Sequence, residues 1–389
     1  MSLEAGGSLA PGEDRMRHPL LPNQDVEKIL LSSPSRFVGE YDGEDLLIAH
    51  AWPSSVRQVN TQLYGEGTVF ARSYLAAAFK TQPGPAPTDG NPRLVPSFKW
   101  VGDVLCAVLA VIFGKRFDQH GFLEHHGMFS LPQLENPAAI FFRNMPFNSS
   151  EPRADLQIPL NLVELDRVKP LLRGDLLEHP AFELFLTAAR FYLRAIRTFQ
   201  DDSELPFLDL VACGEVLAGF FTYNDEELFD RDTLNLLVEI RAGLPEGDRK
   251  ARSLRGRLRQ IRRRFVLSLL RLLDEPFFAR TEAKEDWCRL SSEGVAARLG
   301  AAYDVRSKYL HAGKAFGAHM LLMKCLNEIQ GGRPVVDDQD WGKALELTPS
   351  FVGLERIIRY CLLRFAHLHL APIDRRLDGP GLIPTPEAP

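Results

Sequence analysis

The chain has no apolar run long enough to cross a membrane. A spanning helix needs about 20 predominantly apolar residues. The longest run here, WVGDVLCAVLAVIF at residues 100–113, is interrupted by Gly102 and Asp103 and reads as a core helix. No membrane partner is expected. The opening residues, MSLEAGGSLAPGEDRMRHP, lack an apolar stretch behind a basic start. No secretory signal is therefore expected, which places the protein in the cytoplasm. Cysteine is scarce: Cys106, Cys213, Cys288, Cys325 and Cys361 are odd in number, far apart and mostly inside apolar runs. They form neither a disulfide framework nor a zinc pattern, and read as buried thiols of a reducing compartment. Positive charge is not in excess; the formal net charge is −5. Any nucleic-acid binding must then rest on a local patch. A Gly-rich phosphate loop, a Ser/His/Asp order with an elbow, a nucleic-acid-binding finger and a fixed-period repeat are all missing, and no cofactor is expected.

What is present is ordinary globular composition, 45% apolar and 25% charged, over a length of 389 residues that allows two domains. Residues 1–35 are rich in Gly, Pro, Ser and charge and read as a disordered N-terminal segment. In FVGEYDGEDLLIAHAW two short runs flank Asp42-Gly43, a hairpin signal. TVFARSYLAAAF reads as a helix, and prolines and glycines make residues 81–96 a long loop. AIFFRNMPF and LQIPLNLVEL are strand-like. Residues 36–170 thus read as an α+β region of unknown role.

From His179 the chain reads as helical. Phe182, Phe185, Leu186, Ala189, Leu193 and Ile196 mark one buried face of a helix over 181–199. Asp202 and Ser203 are N-cap candidates for the next helix, with Pro206 in its first turn. That helix, FLDLVACGEVLAGFF, is apolar nearly all round, and Glu215 stands alone as an ionisable group beyond its first turn, so a cation or solvent must face it. A short helix over 233–243 precedes a segment at 249–264 that carries nine Lys or Arg, among them Arg255, Arg259, Arg262 and Arg263. There Leu254, Leu258, Ile261 and Phe265 share a face, and the continuation FVLSLLRLL runs into the core. The arginines fit either a solvated basic face or a phosphate-contacting one. A helix is expected over 315–330, and another from an N-cap at Thr348 along Leu354, Ile358, Cys361, Phe365 and Leu368. Residues 371–389 form a Pro-rich tail.

The stretch YDVRSKYLHAG, residues 303–313, sets Arg306 and His311 five residues apart, with Ser307 after the arginine and Lys308 after that. Two helical stripes compete. One runs through Val295, Leu299, Ala302, Arg306 and Leu310; the other, through Ala302, Val305 and Tyr309, leaves Arg306 at the margin. Either way the guanidinium needs an acid or an anion. On a straight helix a five-residue step separates the two side chains by roughly 140°. They converge only if the helix ends or bends between them, or if a second copy faces it; Ala312-Gly313 favours the first. Imidazole, with an ordinary pKa near ~6.5, gives or takes a proton, and arginine holds a phosphate and stabilises a pentavalent anion. Together they suit metal-independent cleavage of RNA by its own 2′-hydroxyl.

On these residues the chain resembles the HEPN superfamily (higher eukaryotes and prokaryotes nucleotide-binding), and more closely its Apea-like branch. There a tyrosine–acid–x–arginine–serine–lysine run precedes a histidine and a glycine. VACGEVLAG looks like the family's earlier acidic helix, residues 257–273 like its middle helix, and SFVGLERIIRYCLLRF like its last. The resemblance covers residues 175–370 and implies a HEPN-like bundle of four or five helices, so the fold expected is mainly α with an N-terminal α+β region. It implies a homodimer whose two motifs line one cleft, His311 as acid/base, Arg306 as phosphate and transition-state ligand, and Ser307 as the polar neighbour. Glu215 would orient Arg306; taken with the basic segment, the ribonuclease reading lays single-stranded RNA against Arg255, Arg259, Arg262, Arg263 and Lys308. It further implies endoribonuclease activity in toxin or antiviral defence settings, with a protein regulator or antitoxin as a partner. Some ribonuclease branches carry a tyrosine two residues after the histidine; here it is Gly313, so covalent regulation at such a tyrosine is not implied. Catalytically inactive HEPN modules share the motif, so a protein- or nucleotide-binding dimerisation module is the alternative. A third reading puts a metal on His120, Glu124, His125 and His126 of HGFLEHHG, although these do not match H-E-x-x-H.

Overall fold

The computed structural model describes residues 26–51, 72–81, 98–125, 127–132, 141–172, 176, 179–202, 204–319 and 326–384. Among them six strands form one antiparallel sheet: β1 (Val26–Ser33), β2 (Tyr41–Asp42), β3 (Leu46–His50), β4 (Ser73–Lys80), β5 (Asp118–His125) and β6 (Met128–Phe129). Their order is β2-β3-β4-β1-β5-β6, and β2 and β3 are the expected hairpin.

Two stretches differ from expectation here. Residues 26–33 are not loosely ordered; they are the central strand, paired along its length with β4 and also with β5. Ile29, Leu30 and Leu31 are fully buried. A strand covered on both faces shows a continuous apolar run instead of alternation, and three residues make a weak signal. In place of the helix expected over 68–79, β4 occupies the described residues of that stretch from Ser73 on. Ser73, Leu75, Ala77 and Phe79 alternate inward there, and neighbours on both sides take up its backbone groups. Pairing overrides the helix preference of its alanines.

Helix α1 (Lys99–Phe113) packs against β1 and β5 and ends at Gly114, whose φ of 62° is the left-handed region glycine tolerates. Neither strand-like stretch after it is a strand. Residues 141–147 form turns, and Leu162–Val168 is a 3₁₀ turn capped by Asn161. Pro146 and Pro159 each remove a ladder donor.

The rest is mainly helical: α2 (Pro180–Thr198), α3 (Leu205–Ala218), α4 (Arg231–Gly243), α5 (Gly247–Arg257), α6 (Ile261–Leu272), α7 (Val295–Ala312), α8 (Gln339–Leu347) and α9 (Phe351–His369). The N-cap of α3 is Glu204 instead of Asp202; Asp202, two residues earlier, still accepts from the backbone of Glu204 and Leu205 at 2.7 Å each, and Ser203 lies outside the described residues. The expected helix over 315–330 is not formed where it is described. The chain leaves α7 at Gly313, and Glu328 lies outside any helix, its backbone bonded to Cys288 and Ser350. The cap of α9 is Ser350 instead of Thr348. Helix α9 is central, packed against α1, α2, α3 and α6 and buried all round from Phe351 to Ala366. One apolar core runs from Ile29 in the sheet to Leu377 beyond α9. The described part of the tail joins it, with Ile373 and Leu377 buried.

The basic segment is not one helix. It breaks between α5 and α6, where Gln260 sits at φ 48°, a conformation that costs an L-residue about 1–2 kcal/mol. Leu254 and Leu258 pack with Leu228, Phe229, Leu237 and Ala251 in a small separate core, whereas Phe265 and Leu269 enter the main one. Two cores demand two helix directions. Among the described residues no helix is long and apolar enough to cross a membrane.

Candidate active site

Helix α7 carries the motif. Its buried side is Val295, Leu299, Ala302 and Val305, with Tyr309 partly buried, so the second stripe is the one formed and Leu310 points out. Phe265 of α6 packs against Tyr303, ring centroids 5.8 Å apart. Gly313 closes the helix at φ 63°.

Arg306 lies at the margin of that face, its side chain 21% exposed, and donates from Nη2 to Glu215 Oε2 at 2.9 Å. Glu215 thus meets a cation, as does Asp209, the other carboxylate of α3, which takes Arg194 at 2.5 Å. Tyr303 adjoins the group: its phenol lies near enough to Glu215 to favour the charged carboxylate, and its ring lies 5.8 Å from the Arg306 guanidinium carbon. Burial pushes the Glu215 carboxyl above its ordinary value, and Arg306 and Tyr303 pull it partway back. Burial, then the neighbouring Glu215 charge, raises the Tyr303 phenol.

His311 sits in the last turn of α7, exposed, with no hydrogen bond or ion pair among the described residues. The helix neither ends nor bends between Arg306 and His311, so the expected break does not bring them together. Five residues on an unbroken helix set them about 7.5 Å apart along the axis and roughly 140° around it. Within one chain they point to different surroundings. Ser307 is half-buried beside Arg306.

The expected RNA contacts do not form one surface. Arg255 pairs with Asp225 at 3.1 Å, and Arg259 is exposed; both line a cleft of about 550 Å³ between α3 and the elbow that joins α5 to α6. Arg262 instead makes a two-pronged pair with Asp304 at 2.8 and 3.0 Å, tying α6 to α7. Arg263 is exposed near Asp230. Lys308 stands 5.2 Å from the centre of the Trp341 ring, beside Lys314. Tyr303 and Asp304 were visible as motif members but not as partners of Arg306 and Arg262. The three- and four-residue helical spacing was the signal for the tyrosine, whereas the Asp304 contact is long-range.

The histidine cluster lies on β5, where each described member is taken up by β1. His120 Nε2 meets Ser32 Oγ at 2.7 Å, Glu124 takes Lys28 at 2.5 Å, and His125 Nδ1 meets Glu27 at 2.6 Å. His126 lies outside the described residues. No group of three or more His, Cys, Asp or Glu able to hold a metal forms among the described residues.

Comparison with protein-family models, with curated proteins and with solved structures finds no match to this chain.

Proposed function

We propose that this protein is a metal-independent endoribonuclease of HEPN type that acts as a homodimer on single-stranded RNA. The observation that carries the reading is Arg306, held by Glu215 and Tyr303 at the edge of α7, on the same helix as an exposed His311. In the reaction His311 takes the proton of a 2′-hydroxyl, and that oxygen attacks the adjacent phosphorus. Arg306 balances the charge of the pentavalent phosphate, and the departing 5′-oxygen receives a proton from protonated His311. The products are a 2′,3′-cyclic phosphate and a free 5′-hydroxyl, with no cofactor consumed. Because α7 is unbroken, each site combines Arg306 of one copy with His311 of the other. A toxin or antiviral role controlled by a protein regulator fits such an activity, as does work in the cytoplasm.

The test is cleavage of single-stranded RNA in EDTA. Wild type is expected to leave cyclic phosphate ends, and His311→Ala and Arg306→Ala are each expected to be inactive. Mixing the two inactive chains restores part of the activity, since half of the mixed dimers' composite sites keep both groups. Cleavage that survives His311→Ala, or that needs a divalent ion, overturns the chemistry. A failure to complement overturns the shared site.

One observation favours a second reading, a non-catalytic HEPN module for protein or nucleotide binding. Arg306 is already paired, and His311 does not reach it within the chain. Under that reading His311→Ala leaves biological activity intact.

A further inference from the structure

Next to the Glu215–Arg306 pair, the cleft between α3 and the α5–α6 elbow has features that the ion pairs within the chain do not use up. Three guanidinium-bearing residues line it: Arg255, Arg259 and Arg264. Arg255 is held by Asp225 and Arg264 lies over the Tyr223 ring, 5.4 Å from its centre. Arg259 has no ion pair among the described residues and is exposed. The floor combines Tyr223 with the apolar side chains of Leu258 and Ile261. The Tyr223 hydroxyl donates to the Ala218 carbonyl at 3.0 Å, which fixes the ring. Glu215 lines the same cleft, so it touches both this space and Arg306. The volume of about 550 Å³ lies within the ~300–1,000 Å³ of ligand-sized sites.

A second observation concerns how the arginines are brought there. Arg259 falls in the elbow, and the left-handed Gln260 next to it turns the chain where neither glycine nor proline is present. Strained backbone held by its surroundings gathers at functional sites, and an outlier of this kind points from geometry toward function. On a continuous helix Arg255 and Arg259 would share a face, about 40° apart, but Arg264 would lie on the opposite side, about 180° from Arg255.

We infer that this cleft seats the RNA strand beside the scissile phosphate, with Arg259 and Arg255 on backbone phosphates and a base against Tyr223. The inference rests on the ribonuclease reading. Guanidinium groups suit phosphate oxygens, and an aromatic floor accepts any base, so the seat is tolerant of sequence and strongly dependent on salt. Arg264 and Tyr223 join the binding residues; Arg262 and Lys308, engaged elsewhere, stand outside this seat.

The experiment uses the full chain with His311→Ala, which leaves RNA uncut, and a labelled single-stranded RNA followed by fluorescence anisotropy across a salt series. Arg259→Ala in that background is expected to weaken binding about tenfold and to flatten the slope of log K against log salt by about 0.7 for each phosphate that is no longer neutralised. Arg249→Ala, on the exposed side of α5 and paired with Glu246, is expected to leave both unchanged. Thermal melts confirm that each variant is folded. RNA carrying 4-thiouridine is expected to crosslink to Tyr223 on irradiation. If Arg259→Ala and Arg255→Ala bind like the parent with the same salt slope, the cleft is not the seat and the ribonuclease reading stands on its own test. If Arg249→Ala weakens binding as much as Arg259→Ala, the attraction is diffuse and the seat is likewise overturned. If the parent binds no RNA while wild type cuts none, both readings fall.

Discussion

At the scale of single residues the centre of the site is the Glu215 carboxylate. It sits beyond the first turn of a largely apolar helix, and burial raises its proton affinity while Arg306 and Tyr303 lower it. The net direction is upward. A carboxyl whose folded value exceeds its unfolded value opposes folding when ionised, and that opposition fades as pH falls through the raised folded value. The same proton uptake strips Arg306 of its counter-charge, so the guanidinium is freed at milder acidity than an ordinary glutamate would allow. Titration of ¹³C-labelled glutamate carboxyls by NMR is expected to give Glu215 a midpoint above the usual ~4.3. Arg306→Ala should move it higher still, because the arginine is a lowering influence. A midpoint at the ordinary value, or one that falls when Arg306 is removed, would contradict the geometry. That pairing was legible in advance: a carboxylate past the first turn of a largely apolar helix needs a cation or solvent. The engagement of Lys308 with Trp341 was not, because nothing in the setting of either residue calls for that partner.

Among the elements, α7 was readable because its burial repeats at helical spacing and Gly313 follows as a stop. The α5–α6 elbow was not. Leu254, Leu258, Ile261 and Phe265 keep helical spacing across the break, and the nearest glycine, Gly256, lies inside α5 and not at the turn. What divides the segment is tertiary: two of these side chains enter a small core with α4, and Phe265 enters the main core. Strands β1 and β4 were hidden for related reasons, one by brevity and one by alanines that favour a helix until neighbours pair with them. The elbow's strain is measurable. Gln260→Gly removes the side chain from a backbone of φ 48° and should raise stability by about 1 kcal/mol after the extra freedom of the unfolded glycine is counted. A urea transition is expected to shift to a higher midpoint with an unchanged slope. A lower midpoint would mean that Gln260 contributes contacts outweighing its strain.

Over the whole molecule, the sheet and the helices are joined by buried charge as well as by apolar packing. Helix α9 places Glu355, Arg356, Arg359 and Arg364 out of reach of water. Arg153 spans Glu355 at 2.7 Å and Glu282 at 2.5 Å; Arg356 takes Glu328 at 2.7 Å; Arg359 takes Asp155 at 2.6 Å. Arg359 also donates to the carbonyls of Val111 and Ile112 at the end of α1, so a single guanidinium ties three parts of the chain together. Surface pairs are worth about 0–1 kcal/mol, whereas removing one partner of a buried pair costs about 3–5 kcal/mol because a charge is left without compensation. Asp155→Ala should therefore destabilise the protein by about 3–5 kcal/mol, a large share of the ~5–15 kcal/mol typical of a folded domain. Arg249→Ala at the surface should change it by under about 1 kcal/mol. Replacing both Asp155 and Arg359 with leucine should recover much of the loss, since no charge is then left unpaired. Acid adds an independent check. Burial pushes the Asp155 carboxyl up, but Arg359, Arg153 and Arg356 together hold it below its ordinary value. Its stabilisation is present above the unfolded aspartate value and disappears as pH falls through the lowered folded one. Melting temperature followed from neutral pH into acid should show that component in wild type and not in Asp155→Ala. A double-leucine variant no more stable than Asp155→Ala would instead assign the joint to the three-way hydrogen bonding of Arg359, and not to its charge.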